Sequence, residues 1–193
     1  HMLKPKQCSA IARLTCADET ILVAPVGFGK AITGLTAACT RLDTGLNRRI
    51  LVVAPLRVAE LVWSQEAAKW DHIRHDVALA LGNPKQRAAA IEGDAPIVVI
   101  NIENIGWLIE NYPDAFDGMI IDELSKMKDV GGTTARAMRS WVKRLNWRVG
   151  MSATPVAESS TDLYGQALLI DLGKSLGTRK EAFLNRYFMP TDY

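Results

Sequence analysis

The sequence predicts an α/β domain built on a mostly parallel sheet with helices on both faces. Short apolar runs alternate along the chain with stretches that have helical character. Residues 50–53 and 97–100 are apolar at every position, as expected for strands that are buried on both sides of a parallel sheet. The length of 193 residues is enough for one such domain and too short for two.

The elements follow one another in a regular order. Strands are predicted over residues 20–24, 49–54, 77–81, 96–101, 119–122 and 147–151. Helices are predicted over residues 30–40, 59–70, 84–91, 105–111 and 134–145. This alternation indicates βαβ units. Ligands of such sheets bind at the carboxyl ends of the strands, so the loops that follow the strands are the first candidates for a functional site.

Composition narrows the class of protein. The apolar fraction of 48% is ordinary for a globular domain, and no apolar run reaches the roughly 18 residues of a membrane helix. A net charge of +2 does not by itself indicate a nucleic-acid-binding protein. The three scattered cysteines fit neither a disulfide framework nor a zinc site, which favours a reducing, cytosolic compartment.

A glycine-rich loop follows the first predicted strand and leads into a helix. Gly27 and Gly29 would let backbone N–H groups turn toward a phosphate, and Lys30 would reach its outer oxygens. The loop departs from the pattern Gly-x4-Gly-Lys-Ser/Thr because Ala24 replaces the first glycine and Ala31 replaces the hydroxyl that ligates Mg²⁺. An ordinary strand-to-helix turn is the alternative interpretation.

An acidic pair ends a later strand. Asp122 and Glu123 follow an apolar run, which places two carboxylates at the edge where the phosphate loop is expected. Nucleotide hydrolysis needs one carboxylate for Mg²⁺ and another to polarise water. The alternative is that Asp122 caps the following helix. A third polar turn, with Ser152 and Thr154 before Pro155, is either a capping turn or a relay from the nucleotide site.

In this order the three motifs resemble those of superfamily 2 helicases and translocases. The flanking residues resemble the Swi/Snf-type branch of that superfamily, and a compact phage or bacterial member is expected. The residues that carry this closer likeness are Trp63, Glu66, Lys69, Trp70, Lys126, Lys128, Leu163, Tyr164, Gly177, Phe183, Tyr187 and Phe188. The likeness covers residues 3–193 and predicts a single RecA-like P-loop NTPase domain, the first, ATP-binding lobe. His1 and Met2 are interpreted as a cloning scar.

The resemblance implies ATP hydrolysis, with ATP and Mg²⁺ as cofactors, coupled to translocation on or unwinding of nucleic acid, with double-stranded DNA as the expected partner. The residues expected to hold ATP are Gln7, which would read adenine, and Gly27, Phe28, Gly29, Lys30 and Ala31. The residues expected to act in catalysis are Lys30, Asp122, which would also hold Mg²⁺, and Glu123 as general base. The residues expected to contact nucleic acid are Pro55, Leu56, Arg57 and Asn101. Ser152 and Thr154 would couple the two sites.

The resemblance also implies a second RecA-like lobe that supplies an arginine finger. Nothing after Thr154 resembles such a lobe, so it is expected to be absent from this chain. The isolated domain should therefore hydrolyse ATP poorly, because an arginine finger contributes a factor of roughly 10³–10⁵ in related NTPases. The expected location is the cytoplasm of a bacterium or of a phage-infected host.

Three other functions compete with this interpretation. A scaffold domain that binds nucleotide but no longer turns it over is favoured by Ala31 and disfavoured by the intact acidic pair. A small-molecule phosphotransferase would leave the turn at Ser152 without a role. A module that works through protein contacts alone would leave Lys30 without one.

Several other polar and aromatic residues are interpreted as structural. The basic residues Arg136, Arg139, Lys143, Arg144 and Arg148 are predicted to form a solvated helix face. The five tryptophans are predicted to be packing residues, with Trp63 and Trp70 on one buried helix face. His72 and His75 would need further ligands to bind a metal.

Overall fold

The computed structural model describes residues 2–129, 132–154 and 160–188. Within them the strands are β1 Glu19–Val23, β2 Ile50–Ala54, β3 Val77–Ala80, β4 Ile97–Asn101, β5 Gly118–Asp122 and β6 Trp147–Ser152. The first helices are α1 Pro5–Cys16, α2 Lys30–Asp43 and α3, which spans residues 56–69. The later helices are α4 Pro84–Glu92, α5 Ile105–Asn111, α6 Gly132–Trp141, α7 Ser160–Asp171 and α8 Lys180–Tyr187. All six predicted strands are present, with boundaries that differ by one residue at most.

All six strands lie parallel in one sheet, in the order β1-β6-β5-β2-β4-β3. Every residue of β2, β4, β5 and β6 is buried. These four strands lie inside the sheet, which explains why their sequences are apolar on both faces. A parallel sheet brings all the carboxyl ends to one edge, so the loops singled out in the sequence share that edge.

Two apolar cores cover the two faces of the sheet. On one face α1, α2 and α3 pack against Ile50, Val52 and Ile120. On the other face α4, α5, α6 and α7 pack against Leu51, Val53 and neighbouring side chains. The alternation of residues 50–53 between the two cores follows from the period of two along a strand. The prediction of helices on both faces is confirmed.

The helix that follows β2 differs from the prediction. It begins at Leu56, before the predicted start at residue 59, and its middle segment Ala59–Trp63 is π-helical. Helix α1 was not predicted, because within it only Gln7 and Leu14 are buried and one of these two residues is polar. Trp63, Trp70, Trp141 and Trp147 are buried, as the sequence predicted.

One of the basic residues assigned to a solvated face is buried instead. Arg148 lies on β6 and is only 5% exposed. Its guanidinium donates hydrogen bonds to the carbonyls of Leu145 and Ile170 and to the Glu19 carboxylate at 3.2 Å. The prediction was wrong for Arg148. It lies on an interior strand, and hydrogen bonds to all three acceptors offset the cost of burying its charge. Arg136, Arg139, Lys143 and Arg144 are exposed, as predicted.

His72 and His75 each contact a polar side chain, and the cysteines form no disulfide bonds. His72 Nε2 lies 2.8 Å from the Thr36 hydroxyl, and His75 Nε2 lies 2.7 Å from an Asp43 oxygen. The three cysteines are free thiols. None of the helices formed by the described residues combines the length and apolar character that a membrane span requires.

A hydrogen-bonded network links the loops that precede β2 and β5, at the amino ends of the strands. The Asp117 carboxylate accepts from the backbone amides of Arg48 at 2.9 Å and Arg49 at 3.1 Å, and from the Asn47 side chain at 3.2 Å. Burial alone would raise the pKa of Asp117, but these hydrogen bonds outweigh it and hold the pKa below its usual value. Asp117 therefore anchors the loop before β2.

Replacement of Asp117 by asparagine is expected to lower the free energy of unfolding at pH 7 by about 1–3 kcal/mol. Because the pKa is lower in the folded state, the stabilisation is present above the unfolded pKa of about 3.9 and is lost as the pH falls through the folded value. Urea unfolding at pH 7 and near pH 3 should show the difference between the two proteins shrinking at low pH. Asp114→Asn, at an exposed ion pair, is the control and should change little. A difference independent of pH would contradict this account.

Candidate functional site

Three neighbouring strands carry the three motifs. Strands β1, β6 and β5 lie side by side, and at their carboxyl ends stand the glycine-rich loop, the turn at Ser152 and the acidic pair. Adjacent strands are about 4.8 Å apart, so the outer two motifs are separated by roughly 10 Å at the sheet edge. The sheet topology therefore assembles into one site motifs that are up to 130 residues apart in sequence.

The glycine-rich loop has the backbone geometry that its sequence predicts. Gly27 and Gly29 have φ values of 80° and 86°, in the left-handed region that favours glycine. Gly29 is the N-cap of α2, so the free amides of the first helical turn open at the loop. The Lys30 ammonium donates to the carbonyls of Ala24 at 3.1 Å and Pro25 at 3.4 Å, which holds its charge over the loop. The loop therefore offers an anion both oriented amides and a cation.

Gln7 joins helix α1 to this loop. It is 5% exposed, its Oε1 accepts from the Lys4 amide at 2.7 Å, and its Nε2 donates to the Phe28 carbonyl at 2.9 Å. A carboxamide has two donors and two lone pairs, so one donor and one acceptor remain for a ligand. Gln7 also borders an open cavity of 500 Å³ with Pro5 and Phe28. Gln7 is thus placed where a base could lie beside the loop.

Ala31 leaves the first turn of α2 without a hydroxyl at the expected position. The structure shows why the helix offers no substitute. Thr33 is fully buried and its hydroxyl donates to the Gly29 carbonyl at 2.9 Å, while the Thr36 hydroxyl bonds to His72. A cation at this loop would therefore depend on other ligands.

Asp122 ends β5 and is only 6% exposed. Burial raises the pKa of its carboxyl, while a hydrogen bond from the Trp63 indole and the charge of Lys30 oppose that rise. The Trp63 Nε1 to Asp122 Oδ2 distance is 3.1 Å. Strand β5 and the loop after β1 end at the same edge of the sheet, and from there the charge of Lys30 acts on the pKa of Asp122. The hydrogen bond from Trp63 also argues against a purely capping role for Asp122.

Glu123 sits at the turn out of β5. Its φ of 61° places a non-glycine residue in the left-handed region, which costs about 1–3 kcal/mol. Its carbonyl accepts from the Lys126 amide at 2.8 Å as the 3₁₀ helix Leu124–Asp129 begins. Strained backbone of this kind is common at active sites.

The turn at Ser152 is bonded to the glycine-rich loop. Ser152 is fully buried, its Oγ donates to the Thr154 carbonyl at 2.6 Å, and its carbonyl accepts from the Ala24 amide at 3.0 Å. A shift of this turn would therefore act directly on the start of the loop. Thr154 is exposed, and Pro155 lies outside the described residues.

The residues assigned to nucleic acid follow the next two strands on the same edge. Pro55, Leu56 and Arg57 come directly after β2, and Leu56 and Arg57 are exposed. Asn101 ends β4 but is 6% exposed; its side chain donates to Glu103 and accepts from Asn104, both at 2.6 Å. The structure therefore favours Arg57 and Leu56 as surface contacts and gives Asn101 a role in shaping its loop.

Sequence reasoning missed the link between Trp63 and Asp122. It assigned Trp63 to packing, and the packing is correct. A buried indole N–H needs an acceptor, and this requirement was the available signal. The acceptor itself could not be read from the sequence, because it lies 59 residues away on another element.

Alanine substitutions at three glycines are expected to separate backbone strain from ligand binding. Gly27→Ala and Gly45→Ala both place a side chain at positive φ with no atom within 4 Å, so both should lose similar stability. Only Gly27→Ala should weaken nucleotide binding. Gly29→Ala should lose more of both, because its Cβ would lie 2.5 Å from Gln7 Nε2. Thermal unfolding and Mg-ATP titration measure the two effects, and equal binding by the Gly27 and Gly45 variants would contradict the assignment.

The residues fit a bound magnesium–nucleotide group except at Ala31, which lacks the hydroxyl expected to ligate Mg²⁺. Open space and left-handed backbone at Gly27, the charge of Lys30 and the buried Asp122 carboxylate suit phosphate and cation together. Across residues 2–129, 132–154 and 160–188, no cluster of three or more His, Cys, Asp or Glu side chains could hold a metal ion alone. Asp122 would therefore share a cation with phosphate and water, which is the usual arrangement for Mg²⁺.

Fold and site together define a RecA-like nucleotide-binding domain of the helicase type. Residues 4–163 match the family model of the DEAD/DEAH box helicases, so the chain belongs to this family, within superfamily 2. The superfamily and the RecA-like first-lobe fold were both predicted from the motifs, and both are confirmed. The aromatic-rich segment assigned to the Swi/Snf-type branch, residues 177–188, lies outside the matched range.

Relatives and solved structures agree with this family. The chain is 33% identical over 195 residues to the putative protein p41 of Acyrthosiphon pisum secondary endosymbiont phage 1, covering 96% of this chain and 42% of that protein. It is 31% identical over 84 residues to the transcription and DNA repair factor IIH helicase/translocase subunit XPB of Schizosaccharomyces pombe, covering 43% of this chain and 10% of that protein. The chain therefore spans less than half of the curated relatives it matches.

Two solved structures share the fold. The Sulfolobus solfataricus SWI2/SNF2 ATPase core in complex with dsDNA superposes with a TM-score of 0.80 at 18% identity, over 96% of this chain and 38% of that one. The UvsW helicase from bacteriophage T4 superposes with a TM-score of 0.66 at 17% identity, over 86% of this chain and 58% of that one. At these identities the likeness supports the fold and not the activity.

Proposed function

We propose that this chain is the ATP-binding lobe of a DNA-dependent ATPase that translocates on or unwinds DNA, with hydrolysis completed by a second RecA-like lobe. The observation that carries the proposal is the side-by-side placement of β1, β6 and β5. It brings Lys30 and the buried Asp122 to the same edge of the sheet, where the charge of Lys30 acts on the pKa of Asp122. This placement supports a site in which separate residues bind phosphate, hold a cation and activate water.

Each residue has a role that follows from its position. The amides around Gly27 and Gly29 would orient the phosphates, and Lys30 would offset their charge. Asp122 would hold the cation, and Glu123 would accept a proton from the attacking water. A bound Mg²⁺ would supply positive charge that offsets the negative charge of the phosphates. Ser152, bonded to Ala24, would pass changes at the loop to the rest of the sheet edge.

Double-stranded DNA is proposed as the partner because the SWI2/SNF2 ATPase core that shares this fold was solved in complex with dsDNA, and because the sheet edge beyond β2 is exposed. Arg57 is exposed there, next to the exposed Leu56. Loss of a single phosphate contact of this kind should weaken binding uniformly across sequences and reduce the salt dependence by about one charge.

Fluorescence anisotropy with a labelled DNA duplex at low salt tests this part of the proposal. Arg57→Ala is expected to weaken binding several-fold, and the matched variant Arg139→Ala, at an exposed arginine of α6, is expected to leave it unchanged. Equal losses in both variants would indicate nonspecific charge attraction. An RNA duplex of the same length that binds more tightly than DNA would overturn the choice of partner.

A second candidate, a nucleotide-binding scaffold without turnover, is favoured by one observation. Ala31 lacks the hydroxyl for Mg²⁺, and the Thr33 hydroxyl is bonded to Gly29. Ala31→Thr and Ala31→Val form an isosteric pair that differs by this hydroxyl alone. The ATPase proposal predicts that the parent binds Mg-ATP and that threonine, but not valine, strengthens binding. A parent that binds Mg-ATP but shows no single-turnover hydrolysis until threonine is introduced would favour the scaffold.

A further inference from the structure

The indole of Trp63 is a buried polar group that contacts the proposed cation site. Trp63 is fully buried on the face of the sheet covered by α1, α2 and α3. Its Nε1 donates to Asp122 Oδ2 at 3.1 Å, across 59 residues of sequence. A hydrogen bond from a neutral donor to a carboxylate is stronger than one between neutral groups and restricts rotation of the carboxylate.

The indole is held in place from several sides. A Cβ on Gly34, in the helix that follows the glycine-rich loop, would lie 3.3 Å from Trp63 Cη2. The same position would lie 3.5 Å from Ile120 and from Met151, which belong to the strands that end in the acidic pair and the Ser152 turn. Trp63 thus fills the space between α2 and the sheet, and Gly34 leaves room for it.

The backbone around Trp63 is also unusual. Trp63 ends the π-helical segment Ala59–Trp63, which begins four residues after Pro55. A π-helical turn adds a residue to the helix and changes the direction of the side chains that follow, and such turns are frequent at functional sites. Here the segment presents Trp63 to Asp122.

Trp70, which directly follows the last residue of α3, provides the contrast. Trp70 is 9% exposed, and its Nε1 donates to Glu66 Oε2 at 3.0 Å, four residues earlier in the chain. Both tryptophans are buried and both donate to a carboxylate. Of these two tryptophans, only Trp63 donates a hydrogen bond to a residue of the proposed nucleotide site.

We propose that Trp63 is a positioning residue that holds the Asp122 carboxylate in the orientation needed to bind the nucleotide-associated cation. This inference rests on the proposed function. It gives Asp122 a fixed geometry in a site where Ala31 supplies no hydroxyl ligand. Loss of the N–H should therefore raise the Mg²⁺ requirement for ATP binding and leave the affinity for Mg²⁺-free ATP unchanged.

The test compares Trp63→Phe with Trp70→Phe. ATP affinity is measured by calorimetry in EDTA and over a series of Mg²⁺ concentrations. For Trp63→Phe the half-saturating Mg²⁺ concentration should rise roughly 10-fold, the lower end of the range for residues that support metal ligands, with Mg²⁺-free affinity unchanged. Trp70→Phe should change neither quantity. Replacement of Trp63 by 3-benzothienylalanine, which keeps the bicyclic ring and lacks only the N–H, should reproduce the effect and guards against loss of folding in Trp63→Phe.

A second readout needs no nucleotide. The Trp63 indole ¹H–¹⁵N resonance should shift in Asp122→Asn, while the Trp70 resonance should not. An unshifted Trp63 resonance, an unchanged Mg²⁺ requirement, or an equal loss of affinity with and without Mg²⁺ would overturn the inference and leave Trp63 as a packing residue. A parent chain that binds no Mg-ATP would overturn the proposed function and this inference with it, and the two failures are thereby distinguishable.

Discussion

Replacement of Lys30 by alanine is expected to weaken Mg-ATP binding by about 2–4 kcal/mol, or roughly 30- to 1000-fold. The Lys30 ammonium lies over the glycine-rich loop at 3.1 Å from the Ala24 carbonyl. Its charge opposes the rise that burial causes in the pKa of Asp122. Without it, phosphates at this loop would lie beside a buried carboxylate with one cation fewer to offset their charge. Calorimetric titration of Mg-ATP into the two proteins measures the loss.

Lys85→Ala is the matched control for this substitution. Lys85 is exposed on α4, which packs on the opposite face of the sheet, so its removal should not affect binding. The thermal unfolding midpoint of Lys30→Ala should stay close to that of the parent, because Lys30 makes its hydrogen bonds with carbonyls of a loop that is partly open to water. Retained Mg-ATP binding in a folded Lys30→Ala protein would show that the loop is not the phosphate site.

Replacement of Glu123 by glutamine is expected to reduce ATP hydrolysis by a factor of roughly 10²–10⁴ while Mg-ATP binding is retained. Glutamine has the size of glutamate but cannot accept a proton from water. The substitution also keeps a side chain at the left-handed φ of 61°, so the turn should be preserved. Single-turnover hydrolysis with protein in excess over labelled ATP detects the slow reaction expected of one lobe.

Two further variants serve as comparisons for Glu123→Gln. Glu60→Gln, at an exposed glutamate of α3, should hydrolyse ATP at the parent rate. Asp122→Asn should instead lose Mg²⁺-dependent binding, since its role lies with the cation. Unchanged hydrolysis in Glu123→Gln would remove Glu123 as the general base and would leave the acidic pair with a structural role.

Much of the fold could be predicted because interior strands of a parallel sheet leave a plain signal. Residues 50–53 and 97–100 are apolar at each position because both of their faces meet helices. The glycine-rich loop could be predicted because positive φ favours glycine at residues 27 and 29. Periodicity and backbone sterics act locally, so both can be read from a short window of sequence.

Other features depend on contacts between distant segments. Helix α1 buries only Gln7 and Leu14, and Gln7 fixes it to the glycine-rich loop by donating to the Phe28 carbonyl. Arg148 has the composition of a surface residue, yet its burial depends on the carbonyl of Ile170 and on Glu19. The pairing of Trp63 with Asp122 likewise follows from the packing of α3 on the sheet. No local pattern specifies such pairs.

The central claim is that the carboxyl ends of β1, β6 and β5 form a magnesium–nucleotide site, and its most direct test is to map Mg-ATP binding by ¹H–¹⁵N spectroscopy. The account predicts that the largest shifts fall on the amides of Gly27, Gly29, Lys30 and Ala31, with further shifts at Glu123 and at the Trp63 indole. Shifts centred elsewhere, or no change in these amides at millimolar Mg-ATP, would contradict it.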